Sequence, residues 1–171
     1  MDNKRELSDE ESVRLAKVER RLLVPGALKL GYEIQDKIHV ILLRDYPGVQ
    51  IPAITQSWGG VVVTATDGSG VTVDLVCLNV APRAVANFQL HLDDSEAENS
   101  FMSFRGRFGG VEQDVLIPLS AIMQISYPGH HYFDFAFSSV PAVMTATAVL
   151  GEVTRVEAVE KPKASHLRVV K

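Results

Sequence analysis

Short runs of β-branched and aromatic residues, each closed by turn chemistry, set the limits on what this chain can fold into. Ile38–Leu43, Gly60–Thr66 and Val71–Val80 are rich in Val, Ile and Thr, which suit a pleated, half-buried surface. Asp67-Gly68-Ser69-Gly70 joins the second and third runs as a hairpin turn, because its glycines accept positive φ at low cost. Met102–Arg107 and Val111–Ile117 read as a second hairpin around Gly109-Gly110. Pro118–Ile122 reads as a tight helical turn, Met123–Ser126 as a short strand, and Tyr132–Phe137 as a last alternating run. One helix followed by six or seven short strands predicts a mainly β chain. Its expected form is a small, bent antiparallel sheet or partly open barrel with a flexible C-terminal tail.

The helix is expected at the start. Ser8 can cap the free amides and Glu11 can reach back to it, while Asp9, Glu10 and Glu11 suit the positive end of a helix dipole. Val13, Leu15, Ala16, Val18, Leu22 and Leu23 then recur at roughly helical spacing, with Arg14, Lys17, Glu19 and Arg20 between them. Pro25-Gly26 should end or kink the helix, with Ala27–Leu30 as a further turn. Further on, Asp93–Ser100 reads as a solvated acidic loop.

At 171 residues, 46% of them hydrophobic, the chain fits one globular domain with appendages. Its net charge of −4 gives no electrostatic reason to expect nucleic acid, whose phosphates are held mainly through clustered Lys and Arg, although local basic clusters fit within that balance. Cys77 is the only cysteine and lies in an apolar run, so it reads as an inert buried thiol. Met1–Glu6 is charged and leads into no apolar leader, and no apolar stretch approaches the ~20 residues of a membrane span. A cytoplasmic protein without membrane contact is expected.

Reactive constellations are missing from the sequence. It has no Gly-x-Ser-x-Gly elbow, no Gly-x-x-x-x-Gly-Lys loop and no His-Glu-x-x-His pair. His130, His131 and Asp134 come nearest to a site, but a metal would need another ligand from a distant segment. The plainer reading is a loop leading into a strand, and His39 between Ile38 and Val40 reads as a strand residue. The expectation is a binding protein that is not an enzyme and carries no cofactor or metal.

Three further stretches are specific. They are Tyr46-Pro47-Gly48-Val49-Gln50-Ile51-Pro52, then Leu78-Asn79-Val80-Ala81-Pro82-Arg83-Ala84-Val85, then Phe104-Arg105-Gly106-Arg107-Phe108-Gly109-Gly110. In this order, from about Ile38 to Ser126, they resemble the stringent starvation protein B family, bacterial adaptors of the ClpXP protease. The terminal Leu167-Arg168-Val169-Val170-Lys171 resembles the family's tail peptide that docks on the ClpX unfoldase.

The resemblance implies a Sm-like or SH3-like barrel that forms a homodimer through its N-terminal helix, with Leu15, Val18 and Leu22 as the contact stripe. It also implies a groove for the ssrA-type tag that ribosome rescue adds to stalled chains, and a flexible tail that tethers tagged proteins to ClpX. In these terms residues 1–31 are the dimerisation helix, 32–138 the peptide-binding domain, 139–166 a linker and 167–171 the docking peptide. Val80, Ala81, Pro82 and Arg83 would line one side of the groove, and Phe104, Arg105, Gly106, Arg107, Phe108 and Gly109 the other. Gly106 would admit a peptide backbone, and Arg107 offers a forked donor to a carboxylate or carbonyl. The plainer reading of Phe104–Phe108 is a strand whose phenylalanines face a core. Val143, Ala146, Leu150 and Val153 also fit one face of a helix, so the linker has a helical alternative. Trp58–Cys77 is longer than the family's usual segment. A small-barrel module for single-stranded RNA, with Arg83, Arg105, Arg107 and Phe104 as its groove, is the alternative from another class.

Overall fold

The computed structural model describes residues 8–34, 37–65, 70–93, 95, 99–129, 135–137 and 153–158. Helix α1 spans Asp9–Ile34. The expected capping box is formed: Glu11 N donates to Ser8 Oγ over 3.2 Å and Ser8 N donates to Glu11 Oε2 over 2.9 Å. The helix does not stop at Pro25 but runs through it. Pro25 removes one helical hydrogen bond, at a cost of ~3 kcal/mol. Beyond it, Ala27 and Leu28 continue the buried face begun by Val24, and burying one Leu alone stabilises by ~1.5–3 kcal/mol.

The face that α1 buries differs from the stripe expected to be apolar. Arg20 is wholly buried, its Nε donates to Ile122 O over 2.7 Å, and its guanidinium lies 5.7 Å from the Phe137 ring centroid. Burial pulls its pKa down to about 10, so it remains a cation at neutral pH. Leu15 and Leu22 point the other way and are 52% and 64% exposed.

The strands are β1 His39–Leu43, β2 Gly59–Ala65, β3 Gly70–Asn79, β4 Val85–His91, β5 Phe101–Phe108, β6 Val111–Pro118, β7 Ile122–Ser126, β8 Phe135–Ala136 and β9 Val153–Ala158. Among the described residues a six-stranded sheet has the order β8-β7-β1-β3-β2-β9 and a three-stranded sheet the order β4-β5-β6. Every pairing in both is antiparallel. The fold is mainly β, as expected, and the sheets do not close into a barrel. One core joins helix and sheets, with Leu28 from α1, Leu42 from β1, Val76 from β3, Phe104 from β5, Ile117 from β6 and Ile125 from β7. None of the helices formed by the described residues is long and apolar enough to cross a membrane.

Several expected details are met and others replaced. Leu119–Ala121 forms the tight 3-10 turn expected after Pro118. Thr64 opposes Gly70 across the first hairpin, while residues 66–69 of its turn lie outside the described residues. Within the expected run Tyr132–Phe137 only Phe135–Phe137 are described. Strand β4 was not legible, because Asn87 at φ 53 and a bulge between Ala86 and Gln89 interrupt its alternation. Val153–Ala158 is a strand on β2, in a stretch read as linker or helix. Its Val-Thr-Arg-Val-Glu-Ala sequence includes three β-branched residues, which suit a strand, but has no strict alternation to announce one.

Candidate functional site

The second motif is the corner that carries the chain from one sheet to the other. Asn79 Oδ1 accepts from Ala81 N over 3.1 Å and from Ile38 N over 3.4 Å. Ala81 O accepts from Ala84 N over 2.8 Å and Val85 N over 3.2 Å, closing a single helical turn. Val80 and Ala81 are buried in the core, whereas Pro82, Arg83 and Ala84 are exposed. Tyr32 Oη donates to Val80 O over 3.2 Å. Burial raises the Tyr32 pKa to about 12, which keeps that hydroxyl a donor.

The third motif is β5 with its turn. Phe108 opposes Val111, and Gly109 and Gly110 between them take φ of +57 and +86, the left-handed pair that a two-residue hairpin requires. Strand alternation divides the motif between two faces. Phe104 and Gly106 are buried, while Arg105 and Arg107 are exposed on the opposite face. There Arg105 Nε meets Asp114 Oδ1 at 2.9 Å, and Arg107 approaches Glu112 Oε1 at 3.6 Å. The hydrogen bond to Asp114, with its charge, raises the Arg105 pKa.

The two motifs are neighbours, since Val85 pairs with Gly106 and Ala86 with Arg105. Around that pairing lies a strip of half-buried apolar side chains: Tyr32, Val85, Phe88 and Phe108. Phe88 stacks on Phe104 with centroids 6.3 Å apart, and Tyr32 meets Phe88 edge-on at 5.5 Å. The space beside Gly106 is already occupied, because a Cβ there would lie 2.8 Å from Phe108 Cε2. Gly106 therefore admits the Phe108 ring, where the sequence suggested an incoming backbone.

Tyr32 and Phe88 were missed by the sequence reading. The available signal for Phe88 was the run Val85-Ala86-Asn87-Phe88-Gln89-Leu90 directly after the corner motif. Tyr32 had none, since it reaches the strip from the last turn of α1. The first motif is structural: Gln50 exchanges backbone hydrogen bonds of 2.9 and 3.0 Å with Leu116, tying the segment to the β6 edge.

Other candidate residues lie elsewhere. Leu15 and Leu22 are exposed on α1 and Val18 is half-buried. Residues 167–171 and His130, His131 and Asp134 lie outside the described residues, and no cluster of metal-ligating side chains occurs among the described ones. Burial raises the Cys77 thiol to about 11 and, with the charge of Lys37 as the lesser cause, lowers the His39 pKa. Compared with models of known protein families, the chain matches none.

Proposed function

We propose that the chain is a proteolytic adaptor that binds an ssrA-type degradation tag and tethers the tagged protein to ClpXP through its terminal peptide. The observation that supports this most is the direct pairing of Val85 with Gly106. It sets side by side two of the three motifs on which the resemblance to the adaptor family rests, and an extended peptide needs such a platform with apolar walls. In this reading the tag lies along Tyr32, Val85, Phe88 and Phe108, whose half-buried side chains leave apolar surface to cover. The exposed stripe of Leu15 and Leu22 on α1 supports a homodimer. The chain itself performs no chemistry, and ATP hydrolysis and peptide cleavage belong to ClpXP. Each arginine on the outer face of β5 has a carboxylate opposite it, which does not favour an oligonucleotide groove.

Fluorescence anisotropy with a labelled tag peptide tests the binding surface. Phe108→Ala should weaken affinity at least about tenfold, a loss of ~1.4 kcal/mol. If Arg107→Ala weakens binding and Phe108→Ala does not, the tag lies on the outer face instead.

A further inference from the structure

We propose that β9 is a detachable strap, a segment whose docking on the β2 edge shortens and relocates the tail that follows it. The consequence for delivery rests on the adaptor reading given above. Among the described residues strand β9 pairs only with β2, from Val61 opposite Ala158 to Thr64 opposite Arg155, with a register shift before Ala65 and Val153. It is the last strand of the described sheet, where a single ladder holds its six residues. Strands held on one side open before the interior of a sheet does.

The topology gives this opening a large geometric effect. β8 and β9 occupy opposite edges of the six-stranded sheet. Five strand spacings separate them, up to ~24 Å. In the sequence 15 residues (138–152) lie between Phe137 and Val153. With β9 docked, the chain leaves the sheet at Ala158, and eight residues (159–166) precede Leu167. Eight residues span at most ~27 Å. With β9 released, the chain leaves at Phe137 on the other edge, and 29 residues (138–166) precede Leu167. Their limit is ~100 Å. A tether that cannot span two sites contributes no effective concentration. On this proposal the docked strand is the short-reach form and the released strand the long-reach, delivering form.

Amide hydrogen exchange on the full chain tests the strap without reference to any protease. The comparison is with Val156→Pro/Glu157→Pro. Neighbouring strand residues direct their N–H groups to opposite sides, so one of these two prolines must remove a bond to β2. Within Val61–Thr64, the amides that face β9 should exchange at least tenfold faster in the variant. In the wild type they should still exchange at least tenfold faster than β3 amides bonded to β1. Equal rates in wild type and variant would show that β9 does not dock. Protection equal to that of β3 would show that it does not detach.

Delivery is tested with Val62→Cys/Glu157→Cys, directly opposed positions, on a Cys77→Ser background. Oxidised to the disulfide, this protein should bind tag peptide as before and accelerate ClpXP degradation at least threefold less than its reduced form. Equal acceleration by both forms would overturn the role in reach. If neither form nor the wild type accelerates degradation, the adaptor reading has failed, and the exchange result alone decides the strap.

Discussion

The ring of Phe108 covers the α-carbon of Gly106, so that a Cβ added there would meet Phe108 Cε2 at 2.8 Å. A bare α-carbon at 106 and an aromatic ring at 108 therefore act as one unit. The ring lies half-buried between the core and solvent, and its seat exists only because residue 106 has no side chain.

Gly106→Ala should accordingly push the Phe108 ring outward, at a cost of about 1 kcal/mol in urea unfolding, and should weaken tag binding. In a Phe108→Ala background the same change should be nearly neutral. The double-mutant cycle should then report a coupling of about 1 kcal/mol. Additive effects would show that the ring does not occupy that space.

On α1, Leu15 and Leu22 are exposed while Val24, Ala27 and Leu28 hold the helix to the core. Leu15→Asp/Leu22→Asp should therefore leave the thermal midpoint within a few degrees of wild type. Light scattering should show that the variant is monomeric at micromolar concentration where the wild type is dimeric. A monomeric wild type would defeat the dimer assignment, and an unfolded variant would contradict the exposure of the stripe.

Arg20 ties α1 to Ile122 from a fully buried position. Arg20→Ala should cost about 3 kcal/mol, since it removes the packed stem and leaves the Ile122 carbonyl short of its donor. Arg20→Met should cost less, because it keeps the stem and no longer desolvates a charge. Urea midpoints in the reverse order would show that the cation itself contributes net stability.

Periodicity and turn residues made much of the sheet legible. The β5–β6 hairpin follows from Gly109-Gly110 between two β-rich runs, and the helix start from Ser8 and Glu11. What failed was long-range. No local signal places Arg20 inside, because its partner carbonyl belongs to a strand 102 residues away. The alternation of β4 is broken by its own bulge, and β9 became a strand only by finding the β2 edge. The candidate site was half legible in the same way. Its two motifs were visible as sequence, but strand alternation then sent Arg105 and Arg107 to the face away from Phe104 and Gly106. Tyr32 entered through packing alone, and Phe88 from a run whose bulge hid it as a strand.

Tethered delivery is tested most directly by the rate at which ClpXP degrades a low concentration of ssrA-tagged protein. The full chain should be compared with one lacking Leu167–Lys171. Two tails on a dimer can raise avidity by ~10²–10⁴ over one weak peptide, so the full chain should accelerate degradation chiefly by lowering KM. The shortened chain should bind tag equally well and give no acceleration, with the difference shrinking as substrate saturates. Equal acceleration by the shortened chain, or none by the full one, would contradict the account.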